Sequence, residues 1–286
     1  MAIDILSVSL RALGLVALFQ AGGIVLFFAP GQPQLPATEP ALRRIGILSA
    51  LLAAIVLAAQ YALEAARMSG ELGGALDSAL QGVVLRSAVS VTLSWRVLGL
   101  SLIVAALRRR GAERSIAGTI GVVIVLASFT FVGHTANSAQ RWLLNPVLLA
   151  HLCVVAFWFG ALVPLYLVSA HEPAETSARV VAQFSARALW LVTALFVAGI
   201  VLAAGLLPDL AALRRPYGLL LLAKVTGFCA LMLLAALNRW RLGPALRTGG
   251  AAAGRRFRSV VAAEYALIVA VLCVTAVMTS FFSPEA

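Results

Sequence analysis

Charge is scarce in this 286-residue chain: charged residues make up 12% of it, where a soluble domain carries about 25%, and 62% of its residues are hydrophobic, with a mean hydropathy of +1.00. That shortage excludes a water-soluble globular domain and makes the chain an integral membrane protein. Acidic residues are scarcest, 11 against 22 Lys and Arg, which leaves a formal charge of +11. Such a surplus can mark nucleic-acid binding, but here the basic residues sit in short clusters between apolar runs rather than along one soluble face. Nucleic acid is therefore not an expected partner; the lipid bilayer is. Cysteine is limited to Cys153, Cys229 and Cys273, each within an apolar run. An odd number of intramembrane thiols rules out a disulfide framework and reads as small packing residues. The sequence also lacks a Gly-rich phosphate loop, an HExxH pair and a nucleophile elbow, so no enzyme activity is expected. No internal repeat or low-complexity linker is evident.

What the chain does have is apolar length. A membrane helix needs roughly 20 mainly apolar residues to cross about 30 Å of hydrocarbon. Eight stretches qualify: Ile5 to Phe28, Arg44 to Met68, Arg86 to Leu107, Ser115 to Val132, Pro146 to Val168, Ala188 to Leu207, Tyr217 to Asn238 and Ser259 to Phe282. They are too long for strands and lack barrel-like alternation. The expected fold is all-α, a polytopic helical bundle of about eight spans, forming one integral membrane domain over residues 1–286. The first run is read as a retained helix, because no Lys or Arg precedes it, Arg11 interrupts it and no small-residue cleavage site follows. Arginines cluster before the second run (Arg43, Arg44), after the third (Arg108, Arg109, Arg110, Arg114) and between the seventh and eighth (Arg239 to Arg258). By the positive-inside rule those connections face the cytoplasm, and both termini lie outside. Arg214 and Arg215 run against that pattern. The outward segment SGELGGALDSALQ (69–81) is expected to form a short interfacial helix, and GQPQLPATEP (31–40) and GPALRTGGAAAG (243–254) to be breaker-rich loops.

Two of the chain's 3 histidines fall in GHTANSAQRWLLNPVLLAH (133–151). Asn145 and Pro146 read as a helix cap and first helical position. That places His151 roughly 8 Å below the outer end of the fifth helix, at 1.5 Å per residue. His134 lies at the outer end of the fourth, so the hairpin can bring both imidazoles to one point below the outer surface. Trp158, two turns after His151 on nearly the same face, would floor that pocket. His171, beside Glu172 and Glu175, is expected on the inner side as a solvated loop residue.

Ionisable side chains inside a membrane span are costly and mark candidate sites. Glu64 lies in the outer half of the second span, with Met68 one turn further out; Arg11, at similar depth in the first, is its natural ion-pair partner. Met278 near the outer end of the last span and Cys153 beside His151 are further soft donors. Imidazole with thioether or thiolate suits Cu(I) rather than a hard ion, while packing is the plainer role of any one Met or Cys. Arg96 and Lys224 are cations inside the third and seventh spans, able to neutralise Glu64, bond to broken backbone or hold an anionic group. Asn238 and Glu264 on the inner side are expected to clamp helices together by pairing with Arg239 or Arg187.

The stretch GHTANSAQRWLLNPVLLAHLCVVAFWFGALVPL (133–165) resembles the "GHA…lH…aaaWlGgL" core of the copper-resistance protein D family. FSARALW (184–190), LLLLAKVTGFCALMLLAALNRWRL (219–242) and SVVAAEYALIVAVLCVTAVMTSFFSP (259–284) resemble, in the same order, the family's sixth helix, its "LL.K…nR..l" helix and its final "s…E" helix. The resemblance runs from about 87 to 284 and is weaker before. It implies a multi-pass protein of the bacterial inner membrane that handles copper, and assigns His134, His151 and Trp158 to the family's matching positions. Thr135 departs from the family's Ala, and Phe159-Gly160-Ala161 from its Gly-Gly. No Met- or His-rich segment and no fused copper carrier is present, so the donor is left open, a periplasmic copper carrier among the candidates.

Three functions follow. Copper, Cu(I) before Cu(II), would bind His134 and His151, with Met68, Glu64, Cys153 or Met278 as further ligands, and move inward by way of Cys229 and Met232; neutral imidazoles would lose it as pH falls. Alternatively the same histidines would be axial ligands of a b-type haem, with Arg96 or Lys224 at its propionates. Thirdly, the chain would be a non-transporting copper-delivery subunit.

Overall fold

The computed structural model describes residues 2–28, 34–109, 112–207, 209, 211–248 and 250–282, with the backbone alone for 112–114. Every regular element among them is helical. In chain order they are α1 (Ala2–Phe27), α2 (Glu39–Ser69), α3 (Ser78–Leu85), α4 (Ala88–Arg108), α5 (Ala112–Ala127), α6 (His134–Asn137), α7 (Arg141–His171), α8 (Ala174–Leu206), α9 (Pro216–Leu237), α10 (Gly243–Ala245) and α11 (Gly250–Phe281). A single π turn, Asn238–Leu242, joins α9 to α10 without a break.

Seven of these helices are long and apolar enough to cross a membrane, not eight. The expected fourth span is the shorter one: α5 is 16 residues, continued by a 3₁₀ stretch of 4, Ser128–Phe131. At about 1.5 Å per α residue and 2.0 Å per 3₁₀ residue the pair reaches about 32 Å, enough for the hydrocarbon. Ser128 and Thr130 favour the tighter turn by donating to the carbonyls of Val125 and Ala127. The expected interfacial helix is divided into a 3₁₀ turn, Leu72–Leu76, and α3, whose start is fixed by Asp77 accepting from the amides of Ala79 and Leu80.

The helix α1 lies at the centre, packed on α2, α7, α11 and α5. Its closest approach is to α7: a Cβ on Gly23 would sit 2.2 Å from the Ala156 carbonyl oxygen, and one on Gly160 2.2 Å from the Gly23 Cα. Only glycine on both sides lets these backbones touch. Gly99 and Gly121 serve α4 and α5 in the same way. Near this crossing Pro164 lacks the N–H that would pair with the carbonyl of Gly160, and Gln20 of α1 donates to that carbonyl instead, at 3.3 Å.

The loop arginines are structural clamps as well as charges. Arg43 donates to the Leu107 and Arg109 carbonyls at 2.7 Å, and Arg258 to Ser169 at 3.0 Å, so each covers a helix C-terminus with positive charge. Glu172, 9% exposed, accepts from the amides of Ala37 and Thr38 and from the Thr38 hydroxyl, which anchors the start of α2. Arg11 donates to the Thr279 carbonyl and hydroxyl, and so ties the terminal helices together. The start of α1 and the end of α11 thus lie at one end of the bundle, called outer below after the arginine pattern.

Candidate metal site at the outer end of the bundle

Gly133 turns the chain out of the 3₁₀ stretch with φ +92 and ψ −170, a conformation essentially reserved for glycine. His134 follows at once as the first residue of α6 and is half-buried. Its ring packs edge-on against Tyr217 near the start of α9, with centroids 6.1 Å apart. The helix start expected at Asn145 and Pro146 lies earlier, at Arg141 with Gln140 as its cap. The apolar pattern already begins at Trp142, and Pro146 falls inside the helix, where it has no N–H to pair with the Trp142 carbonyl. His151 is therefore ten residues into α7, about 15 Å from its outer end and nearly twice the expected depth.

At that depth the His151 ring faces the Leu195 backbone of α8 and the charge of Lys224 on α9. Its Nδ1 is buried without a hydrogen-bond partner. Both histidines thus face one stripe of α9, but on different levels. Tyr217 and Lys224 are seven residues apart, on nearly one helix face and about 10 Å along the axis. The stripe continues through Leu231 to Asn238, while α7 repeats the step with His151 and Trp158. This seven-residue register was open to inspection in the sequence; that α11 packs on both helices was not.

The other candidate ligands are scattered. Met68 is 53% exposed at the end of α2, Met278 is buried in α11, and Cys153 is half-buried, two residues and so about 200° around α7 from His151. Glu64 does not pair with Arg11: its partner is Arg67 at 3.5 Å on its own helix, and Arg11 is engaged by Thr279. Among the described residues no group of three or more His, Cys, Asp or Glu side chains comes together around one point.

The supporting residues are also redistributed. Arg96 reaches no acid among the described residues; its Nε donates to Ser128 at 2.9 Å and its guanidinium lies 4.2 Å over the Phe129 ring. Lys224, the chain's single lysine, has no hydrogen bond or ion pair among the described residues. Trp158 does not floor the histidine site: it is buried deeper, beside the Glu264 carboxylate. Glu264 pairs with Asn238 rather than with an arginine, while Arg239 donates to the Ser185 carbonyl at 2.6 Å. His171 ends α7, its Nδ1 3.0 Å from the Leu167 carbonyl. Cys229 and Cys273 are exposed on the outside of the bundle, and Met232 packs against the core. A groove between α7 and α8, lined by Val147, Ala150, Trp190, Thr193 and Val197, is apolar and has neither histidine in its wall.

Comparison with known families gives two matches that together cover most of the chain. Residues 2–142 match the copper resistance protein D-like N-terminal domain, and residues 178–278 match copper resistance protein D. The first match extends the likeness to the N-terminal helices, where the sequence resemblance was weak. His134, Glu64, Met68, Arg11 and Arg96 fall in it, Lys224 and Met278 in the second, and His151, Cys153 and Trp158 between them. No curated protein and no solved structure matches the chain. The apolar helical bundle and the two family matches agree, and the chain belongs to the copper resistance protein D family of multi-pass membrane proteins.

Proposed function

We propose that this protein binds copper at its outer end through His134 and His151 and passes it inward along the face of α9, across the bacterial inner membrane. The observation that carries the reading is the His151 Nδ1, a buried imidazole nitrogen that the protein leaves without a partner. An unmet polar atom costs about 1–3 kcal/mol, a cost that a bound metal removes. Imidazole favours copper over hard ions, and thioether ligands would select Cu(I). His134 stands above it near the membrane surface, where a periplasmic carrier would deliver the ion. The two levels suit successive capture, with His134 and then His151 taking the ion.

Purified wild type and a His134→Ala, His151→Ala double variant, compared for copper bound anaerobically, test the site. Loss of copper in the variant is expected, and equal content would overturn it. Copper entry into proteoliposomes tests movement; binding without entry would favour a delivery subunit. Lys224 also bears on affinity, because its charge repels a cation at His151. A screened repulsion of about 1 kcal/mol predicts roughly fivefold tighter copper binding in Lys224→Leu, which removes the charge without adding a ligand.

The same uncompensated lysine supports a second reading, since it suits a carboxylate of a haem propionate near the histidines. A Soret band in the purified protein would replace copper by haem.

A further inference from the structure

The inner half of the α9 stripe ends on a buried carboxyl group that copper binding at the outer end does not use. Glu264 of α11 is 3% exposed and Asn238 is 9% exposed. The Asn238 Nδ2 donates to the Glu264 Oε1 at 2.6 Å, the Trp158 indole lies against the same carboxylate, and the Asn238 Oδ1 is buried with no partner. Asn238 opens the π turn, a distortion of a kind that recurs at functional sites.

Among the described residues no cation pairs with this carboxyl group. On the elements packed against it, Arg239 is held by Ser185, Arg258 by Ser169, and Gln20 of α1 by Gly160. Tyr265 stacks on Phe159 at 4.7 Å. Lys224 lies fourteen residues up the same helix, about 21 Å away along its axis, and His151 stands two turns outward of Trp158. The donor set is also wrong for copper, since carboxylate and amide oxygens are hard ligands. It does suit a proton. An amide offers a donor on one side and an acceptor on the other, so Asn238 can give N–H to a carboxylate or, after a half-turn, accept O–H from a carboxylic acid. The 2.6 Å separation is short for N–H to oxygen and ordinary for O–H to oxygen.

We propose that Glu264 and Asn238 form a proton-exchange site, in which Glu264 gives up its proton as a copper ion enters the seam. The carboxylic acid becomes a carboxylate, the proton passes to water at the inner mouth, and the negative charge left behind compensates the one positive charge of Cu(I). The coupling rests on the copper reading; the proton exchange itself does not.

Two measurements test it. Infrared difference spectra of lipid-reconstituted protein between acid and alkaline pH are expected to show the carbonyl band of a buried carboxylic acid in wild type and not in Glu264→Gln. In proteoliposomes containing a pH dye, copper added outside is expected to release about one proton per ion inside in wild type. Glu264→Gln should release none and should bind copper more weakly, because the compensating negative charge cannot form. A band that persists in Glu264→Gln, or unchanged proton release, overturns the proposal. Should Glu264→Gln fail to fold, Asn238→Ala keeps the carboxyl group and is expected to move the pH midpoint of the band; an unmoved midpoint is equally fatal. If wild type shows the band but binds no copper, the coupling falls and the proton site stands.

Discussion

Gln20 and Pro164 make a pair that neither residue explains alone. The proline removes a helix hydrogen bond at Gly160, and the glutamine on the neighbouring helix restores it. In a membrane no water can do so, which is why the donor must come from protein. Gln20→Leu is expected to cost about 1–3 kcal/mol in wild type, as for a buried carbonyl left unpaired. In a Pro164→Ala background, where residue 164 has its own N–H, the same change should cost less than half as much. A double-mutant cycle on unfolding in mixed micelles measures the difference, and additive costs would remove Gln20 from this role. The sequence displayed the buried polar residues but not their partners. Glu64 and Arg11 stood at matching depths, yet Arg67 was nearer to Glu64 on its own helix and the Thr279 backbone was open to Arg11. Pairing depends on which faces meet, and depth alone does not fix that.

Helices were far more legible than their ends. Helix appears at all eight apolar runs, seven times as one long helix and at the fourth as the shorter α5 with its 3₁₀ end, because a run of some 20 apolar residues has no other stable form in lipid. The misjudged features are ones that hydrophobicity does not encode. Asn145 looked like a cap, but Arg141 to Leu144 continue the helix outward. The 3₁₀ end of α5 and the π turn after α9 arise from side-chain bonds and packing. Gly23 and Gly160 illustrate the opposite case, a local feature with consequences for two helices at once. Gly160→Leu would force α1 and α7 apart where their backbones touch. The expected outcome is loss of monodisperse protein on gel filtration, whereas Gly73→Ala, with nothing within 4 Å of its new Cβ, should behave as wild type. Gly133→Ala acts differently: its strained turn should displace His134 and weaken copper binding several-fold while the bundle survives.

Across the whole molecule the arginines serve two ends. Their loop clusters are expected to set the orientation, and Arg43, Arg258 and Arg239 meanwhile close helix ends or bind backbone carbonyls between helices. Topology reporters test the first role directly. A phosphatase that is active only outside the cytoplasm should be active when fused at either terminus and silent when fused in the arginine-rich segments at 108–114 or 239–258. Activity in those segments would invert the outer and inner assignments and move the histidines to the cytoplasmic side.

The central position of α1 bears on how the protein is made. The helix α1 leaves the ribosome before α7 and α11 yet packs against both, and among the described residues the Arg11 guanidinium finds its hydrogen-bond acceptors on Thr279 of α11. Through most of translation that arginine must wait at the lipid boundary, held by whatever the insertion machinery offers. The bundle can therefore seal only once α11 has been made. A chain stopped before α11 would carry an unmet cation and a bare face of α1 in the membrane, the two marks by which a cell's proteases could tell an unfinished copy from a finished one.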